Sequence, residues 1–328
     1  MVAAAIAALA AAGPTGGLTL KSEQPLPITF NQGVARVPGG WILSGTNFPV
    51  PDSDVLVRTD ENLVPQITKT GAIPKAWKDK GYVHIGDIDV VGDVVYAPFE
   101  ERDYTLGHQA TARYNATTLD FIDAVELPQH ENSFVAVDPT TMTAWSQDHF
   151  DGDTLLRYDI NAGWKPLPPL KMNETLHSTQ GAAIVPGGIW ISTSDPANDI
   201  YFVDTTTGIV DKVGTHAHAG GEGEGVDAST ANGTLDALEN DVGMASTWFE
   251  HFGLPTIKAV VQTPQPTSSP GPAAAPTRPR QTASTGTDGA IAMWGLAAFA
   301  AAVCLLALRR RAARSDAAAR EAEEPVGS

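Results

Sequence analysis

The chain has 328 residues, of which 42% are hydrophobic, and a formal net charge of -17. This length and apolar content suffice for one large folded domain with accessory segments, and they exclude a wholly disordered chain. The acidic excess lies before residue 256, where 13 basic and 33 acidic side chains give a net charge of -20. Such a charge argues against nucleic-acid binding, which needs a basic surface. It is compatible with cation binding and equally with solubility alone.

The chain begins with an apolar run of Ala, Val, Ile and Leu at residues 2–12. Its length fits the hydrophobic region of a secretory signal peptide, and its alanines suit cleavage. A basic segment before it is missing, and a frayed Ala-rich helix is the alternative interpretation. We expect residues 1–17 to be a signal peptide, because the C-terminal topology described below requires export.

An internal repeat occupies residues 18–255. The segment QGVARVPGGWILSG from Gln32 matches QGAAIVPGGIWIST from Gln180, and related segments start at Ile85, Ser133 and Glu224. The starts are therefore 53, 48, 47 and 44 residues apart. Each unit contains four short apolar stretches, here called strands a to d, separated by turn residues. Four strands in about 40–50 residues are typical of a β-propeller blade.

The repeat predicts an all-β fold, a β-propeller of five four-stranded blades. Six blades would require strands that the sequence does not display. The fifth unit has candidates for strands a to c but no strand d before residue 256. Residues 18–30 precede the first strand a, where a strand d belongs. We therefore predict that this N-terminal strand completes the last blade.

Polar side chains recur where each strand a begins. In propellers the d–a and b–c connections emerge on one face around the axis, where ligands usually bind. Acids are concentrated in the b–c connections, and histidines precede strand a, so these side chains should converge at the channel mouth. The candidate metal ligands are Asp87, Glu131, Asn132, Glu222 and Glu224, and further candidates at the mouth are His84, His130, His177 and His218.

Two interpretations of this polar set stay open. An oxygen-rich set suits Ca²⁺, and added imidazole would favour zinc or iron. Alternatively, the histidines only hydrogen-bond neighbouring blades, and the acids only keep an exported protein soluble. Glu222 and Glu224 are the best single locus, because the flanking glycines let the backbone approach a ligand closely.

The repeats resemble those of extracellular propellers of the gluconolactonase/regucalcin and phytase-like groups. The resemblance covers residues 18–252 and rests on architecture. Gluconolactonase-like members hold one divalent ion at the channel mouth through Glu, Asn and Asp. The resemblance therefore implies that Glu131, Asn132, Glu224 and Asp87 are the positions that could match those ligands.

The C-terminal part has the composition of a tether. Residues 256–288 are rich in Pro, Thr, Ser and Ala, which favours an extended spacer. Residues 289–308 form an uncharged apolar run that is long enough to cross a bilayer. Arginines follow in the tail, residues 309–328, and place it in the cytoplasm. We expect a single-pass cell-membrane protein whose propeller lies outside the cell.

A short motif in the spacer, TASTG at residues 282–286, resembles the cell-wall sorting signals of Gram-positive, in particular actinobacterial, surface proteins. The resemblance implies that a sortase cleaves between Thr285 and Gly286 and joins the chain to the cell wall. Thr282 stands where the family has leucine, and the tail is longer than usual. Wall attachment and permanent membrane anchoring are therefore both expected outcomes.

These features support two functional hypotheses. The first is a surface-displayed propeller that binds an extracellular ligand or protein partner through its acidic channel-mouth face. The alternative is a divalent-metal-dependent extracellular hydrolase, such as a lactonase or phosphoesterase, in which a calcium-type ion polarises the substrate. The sequence does not decide whether the protein is an enzyme.

Overall fold

Short strands joined by turns make up most of the folded part of the chain. The computed structural model describes residues 10–260, except 48–49, 51, 102–103, 105, 149–150, 219 and 242–244. The predicted membrane helix at 289–308, the tail, and the sorting motif with Thr285 and Gly286 lie outside the described residues, as do residues 1–9 of the predicted signal peptide.

Five antiparallel sheets correspond to the five repeats. Blade 1 contains β3 (Gly33–Val37), β4 (Gly40–Gly45), β5 (Val55–Asp60) and β6 (Pro65–Thr70). Blade 2 contains β7 (Tyr82–Ile85), β8 (Asp89–Val91), β9 (Val94–Glu101), β10 (Gln109–Asn115) and β11 (Phe121–Leu127). Blade 3 contains β12 (Ala136–Asp138), β13 (Thr143–Gln147), β14 (Gly152–Asp159) and β15 (Lys165–Leu176). Blade 4 contains β16 (Thr179–Val185), β17 (Gly188–Thr193), β18 (Asp199–Asp204) and β19 (Val210–Thr215).

Blade 5 combines the two ends of the propeller. Its strands are β20 (Glu222–Ser229), β21 (Thr234–Asn240), β22 (Thr247–Gly253) and the N-terminal β2 (Thr19–Leu26). The register of β2 on β22 runs from Thr19 opposite Gly253 to Leu26 opposite Thr247. The predicted closure of the last blade by an N-terminal strand is therefore confirmed.

The innermost strands of the blades contact one another in a closed ring. β3 contacts β8, β8 contacts β12, β12 contacts β16, β16 contacts β20, and β20 returns to β3. The described residues thus form a propeller of five blades, as the repeat predicts, and not six.

A sixth, two-stranded sheet lies beyond the blades. Its strands are β1 (Ala10–Thr15) and β23 (Thr256–Val260), paired antiparallel. β1 falls within the segment expected to be a signal peptide, and β23 falls at the start of the expected spacer. The described helix is the short α1 (Lys75–Lys78). Among the described residues there is no helix with the length and apolar character needed to cross a bilayer.

The hydrophobic core lies between neighbouring blades. One buried cluster joins Phe134, Trp145 and Met172 of blade 3 to Ile189 and Ile191 of blade 4. Each fully buried side chain of this size stabilises the fold by about 1.5–3 kcal/mol. The core therefore fixes each blade against its neighbours. The loops at the two faces do not contribute to this core and can contain polar residues.

The propeller axis is closed at the level of Asp87. Its Oδ1 accepts the N–H of Val34 at 3.1 Å, and its Oδ2 accepts the N–H groups of Ala182 at 2.9 Å and Val226 at 3.2 Å. Its main chain is bonded to blade 3, where its N–H donates to Ser133 O at 2.7 Å. One residue of blade 2 is thus hydrogen-bonded to all four other blades.

Glycines make this close approach possible. A Cβ on Gly225 would lie 2.6 Å from the Cα of Gly33, and a Cβ on Gly33 would lie 2.7 Å from the Cα of Asp87. Since such distances are shorter than carbon atoms tolerate, side chains at these positions would force the inner strands apart. Small residues in the innermost strands, such as Gly33 of β3 and Gly225 of β20, therefore allow a narrow axis.

Candidate metal centre at the upper face

The upper face is defined here as the side where strand a begins and strand b ends in each blade. The four predicted histidines of this face each contact a carboxylate. The pairs are His84 Nδ1 with Glu100 Oε2 at 2.9 Å, His130 Nδ1 with Asp148 Oδ2 at 3.3 Å, His177 Nδ1 with Asp151 Oδ1 at 3.2 Å, and His218 Nδ1 with Glu239 Oε2 at 2.9 Å.

The pairs differ in the blades that they join. Three of them join the start of strand a to the b–c side of the same blade, whereas His177 contacts Asp151 of the preceding blade. His84 also reaches a neighbouring blade, since its Nε2 contacts Gln32 Oε1 before β3 at 2.8 Å. At His218 the pair belongs to a larger polar cluster.

Three of the predicted metal ligands lie along the axis. Asp87 is buried beneath Glu224, which is itself 3% exposed, whereas Glu222 is exposed at the start of β20. Glu224 Oε1 accepts a hydrogen bond from Asn240 Nδ2 at 2.6 Å. Burial, followed by the charges of Glu222 and Asp87, raises the pKa of Glu224 well above its usual value. The carboxylates are therefore electrostatically coupled, but both oxygens of Asp87 are occupied by backbone N–H groups.

The other two predicted ligands lie in the junction of blades 2 and 3. Asn132 is fully buried; its Nδ2 donates to Ala110 O at 2.7 Å, and its Oδ1 accepts from Gln129 Nε2 at 2.9 Å and from Ser146 Oγ at 3.0 Å. The main chain of Glu131 bonds to Asp148 O at 3.1 Å. The structure thus places this pair apart from the axial acids.

A different set of ligating groups meets between blades 4 and 5. One ligand atom each from His216, Glu239 and Glu250 lies within 4.8 Å of the others, and all three side chains are buried. His216 Nδ1 contacts Glu250 Oε2 at 2.6 Å, and His216 Nε2 contacts Ser192 Oγ at 2.8 Å. We call these three residues the blade 4–5 cluster.

Two more side chains extend the cluster toward solvent. Glu23 of the closing strand, His218 and Glu250 form a second group whose ligand atoms also lie within 4.8 Å of one another. The imidazole of His218 stacks on Trp248 at 4.6 Å, and its side chain is 29% exposed. Because Glu23 is 36% exposed, these two residues give the buried cluster a route to the surface.

The electrostatics of the cluster favour a positive charge within it. Burial, and then the charge of Glu250, raises the pKa of Glu239, against the opposing influence of His216 and His218. Two carboxylates without solvent are costly unless cations or N–H donors compensate them. Backbone and amide donors compensate them in part: Ala217 N–H donates to Glu250 at 2.7 Å, and Glu239 accepts from Asn198 Nδ2 at 3.0 Å and from His218 N–H at 2.9 Å.

Sequence reasoning found only part of this cluster. His218 is a predicted mouth residue. His216 lies before strand a and Glu239 near the end of strand b, where histidines and acids recur between blades. Glu250 and Glu23 carry no repeat signal. Glu250 lies in strand c and faces blade 4 through the pleat of β22. Its pairing with Glu23 depends on closure by β2, which sets Glu23 opposite Glu250. The register of the closing strand was the signal that could have located both.

The lower end of the axis carries a second acidic pair. Asp89 and Asp227 line a cavity of about 160 Å³ together with the ends of the inner strands. Asp89 Oδ2 accepts the N–H of Val137 at 2.6 Å. Burial raises the pKa of Asp89 to about 6 and, with the charge of Asp89, raises the pKa of Asp227 to about 7.

This pair predicts a pH dependence of stability. A carboxyl group with a raised pKa binds its proton more tightly in the folded state, so folded-state stability falls as pH rises from about 4 to 7. Asp227→Asn removes one such group and should reduce the stability lost between pH 5 and pH 8 by about 1 kcal/mol, roughly half the linkage value of about 2.6 kcal/mol for this pH window, because the carboxylate keeps some exposure. Urea unfolding at both pH values measures this loss. The exposed turn residue Asp93, replaced by Asn, is the control, and equal pH dependence of D227N and the parent would contradict the prediction.

Comparisons with known proteins do not assign the chain to a family. No protein-family model matches the chain, and no curated protein matches it. A solved structure of a luciferin-regenerating enzyme aligns with a TM-score of 0.44 and 10% identity, covering 70% of this chain and 80% of that one. The Dos1 propeller aligns with a TM-score of 0.37 and 10% identity, covering 67% of each chain.

Proposed function

We propose that this protein is a surface-displayed propeller that binds a divalent transition-metal ion in the blade 4–5 cluster and engages an extracellular ligand through its acidic upper face. The observation that carries the proposal is the convergence of His216, Glu239 and Glu250, whose ligand atoms lie within 4.8 Å of one another. Imidazole and carboxylate together are the ligands of zinc, manganese and iron.

The surroundings of His216 fit a metal ligand. A ligating histidine normally binds the metal with one ring nitrogen and hydrogen-bonds a neighbouring group with the other. Here Nδ1 faces Glu250, and Nε2 contacts Ser192 Oγ. A bound dication would also offset the repulsion between Glu239 and Glu250. The residues present therefore suit the ion in both geometry and charge.

The proposal that the propeller is displayed at the cell surface depends on the sequence beyond residue 260. The apolar run at 289–308 and the following arginines support a membrane anchor, and the motif ending in Thr285-Gly286 supports transfer to the cell wall by a sortase. In either case the upper face would be presented outside the cell. The extracellular ligand would then contact Glu222 and the exposed edge of the cluster.

A metal-dependent hydrolase is the second candidate. It is favoured by His218 and Glu23, which lie next to the cluster and retain solvent contact. A half-exposed imidazole or carboxylate beside a bound ion is suited to act as a general base toward water. Turnover of lactone or phosphoester substrates that is lost with the metal would support this candidate over binding alone.

Metal binding should raise stability in a concentration-dependent manner. At 100 times the dissociation constant, Zn²⁺ or Mn²⁺ should add about 2.7 kcal/mol to the free energy of unfolding. Glu250→Gln, or the half-exposed His218→Gln, should lower affinity by about 10–100-fold or more. Calorimetric titration and elemental analysis of the purified full chain measure this. Calcium in a parallel titration tests the axial site expected at Asp87, Glu222 and Glu224.

His130→Gln is the matched control, since His130 also pairs with a carboxylate on the upper face but lies in blade 3. This variant should keep the parent's metal affinity. Absence of bound metal, with no stability change on adding Zn²⁺, Mn²⁺ or EDTA, would contradict the metal proposal.

A further inference from the structure

Three polar residues lie in one row across blade 5, on the side that faces blade 1. Asp236 of β21 is directly opposite His251 of β22, and His251 is directly opposite Ser22 of β2. Directly opposed residues project to the same side of a sheet, with Cβ atoms about 4.5–5.5 Å apart. The order across the sheet is therefore carboxylate, imidazole, hydroxyl.

This row is separate from the blade 4–5 cluster. Glu250 and His251 are consecutive in β22, and consecutive strand residues point to opposite faces. Glu250 faces blade 4 and the cluster, whereas His251 faces blade 1. The blade 5 sheet therefore presents two polar groups of residues, one on each face.

The imidazole of His251 is held in a fixed orientation. Its Nδ1 contacts Asp236 Oδ1 at 2.6 Å, and Asp236 is 1% exposed. Burial raises the pKa of Asp236, while its hydrogen bond with His251 and the charges of His251 and Arg36 act in the opposite direction. With Nδ1 bound to the carboxylate, Nε2 is the nitrogen left to accept a proton. Among the described residues, no partner contacts that Nε2.

The hydroxyl of Ser22 is accessible. Ser22 is exposed on the outer strand of the blade, and its side chain has no hydrogen-bond partner among the described residues. Ser22 and His251 together line a groove of about 260 Å³ between blades 5 and 1. A substrate in this groove would therefore lie against both groups.

Blade 1 forms the opposite wall of the groove with the apolar Trp41 and Leu63 and the charged Arg36 and Glu61, while Glu23 and Gln24 of β2 also line it. Phe249 lies beside His251 on β22, and Trp41 packs on it at 5.0 Å between ring centroids. The guanidinium of Arg36 lies 4.5 Å from the Trp41 ring and donates to Glu61 at 2.7 Å. Glu61 uses one of the five N–H groups of Arg36, so the others can face a developing negative charge.

We propose that this groove is a second site, at which Ser22 acts as a nucleophile toward short-chain acyl esters, His251 acts as its base, and Asp236 positions His251. The three residue types and their order are those of a serine hydrolase triad. Asp236 is hydrogen-bonded to His251, and Ser22 shares a register position and a groove with His251, so a bound ester would bring the hydroxyl and the imidazole into use together. The groove volume and its apolar side chains fit an acyl group of a few carbons.

In the first step Ser22 Oγ bonds to the ester carbonyl carbon and its proton moves to His251 Nε2. The bond to the leaving oxygen then breaks, and the same proton passes to the released alcohol. In the second step water attacks the acyl carbon, gives a proton to His251 Nε2, and displaces Ser22 Oγ, which takes that proton back. The products are an alcohol and a carboxylic acid, with no oxidant or metal required.

The test uses the full chain in detergent with a fluorophosphonate probe and p-nitrophenyl acetate. The parent should be labelled at Ser22, as located by peptide mass, and should release nitrophenol faster than buffer does. Ser22→Ala should abolish labelling, and His251→Gln should slow both reactions by about 10²–10⁴-fold. Thr19→Ala, an exposed change on the same strand outside the groove, should match the parent.

Asp236→Asn should lower the rate and change its pH profile, a readout that a merely structural role would leave unmoved. Far-UV circular dichroism and thermal melting identify any variant that has not folded. If H251Q or D236N does not fold, S22A decides the test, because Ser22 is exposed and its replacement should leave the fold intact. EDTA should leave labelling unchanged, which separates this site from the blade 4–5 cluster. An unlabelled parent, or labelling of S22A at the parental rate, would overturn the proposal.

Discussion

Asp87→Ala is expected to lower the free energy of unfolding by about 3–6 kcal/mol, since it leaves three buried N–H groups without an acceptor at about 1–3 kcal/mol each. The donors are Val34 in blade 1, Ala182 in blade 4 and Val226 in blade 5. Water cannot easily replace the carboxylate, because the glycines around it bring the inner strands into close contact. The loss is comparable to the whole stability of a typical domain.

Asp87→Asn separates the loss of the acceptor oxygen from the loss of volume. The amide retains one acceptor oxygen, but its NH₂ group would face an N–H donor, so we expect a stability between those of the parent and D87A. Asp93→Asn, in the exposed turn before β9, should be within about 0.5 kcal/mol of the parent. Urea unfolding at pH 7 measures all three. A D87A protein as stable as the parent would show that Asp87 is not the residue that joins the blades.

Removal of the closing strand should have an effect of similar size or larger. A chain that starts at Pro27 lacks β2 and leaves the whole edge of β22 unpaired. It also loses the apolar contact of Leu26 with the core cluster that contains Phe249. Together these losses should reduce stability by on the order of 5 kcal/mol and expose a strand edge that promotes aggregation. Thermal melting and size-exclusion chromatography are the measurements.

A chain that starts at Gly17 is the control, because it keeps β2 and should behave as the parent does. A synthetic peptide of residues 17–27 should restore stability to the shorter chain by adding a strand to the open edge. A peptide of the same composition in scrambled order should not. Parental thermal stability of the Pro27 chain without peptide would contradict the closure mechanism.

The sequence predicted the fold well, because each blade repeats the same local signals. Strands such as β5 and β11 are short apolar runs separated by turn residues, which is the pattern that the repeat displays. The missing strand d of the fifth unit pointed to the N-terminus, and β2 occupies that place. The strands of one propeller blade are consecutive in the sequence, so the residue composition of the strands and the spacing of the repeats suffice to locate the blades.

The candidate site was less predictable, because it depends on contacts between blades. Asn132 shares its position in the repeat with mouth residues, yet its side chain turns into the junction of blades 2 and 3. Asp87 is predicted as a metal ligand, and its carboxylate accepts hydrogen bonds from three inner strands, which the sequence does not reveal. Glu250 looks like an ordinary strand residue until the register of β22 and its neighbours is known. Repetition locates a face of the molecule, whereas strand register decides which side chains meet there.

The closing strand also determines how the domain can fold. β2 and β22 are neighbours in space, although Thr19 and Gly253 stand at the two ends of the propeller sequence. Contacts between such distant segments form slowly, because a long chain must be ordered before they contribute. Four blades can form from local hairpins, whereas β2 stays unpaired until β22 has folded. During that interval β2 can equally pair with β22 of another copy, so chains folding at high concentration should yield strand-exchanged dimers.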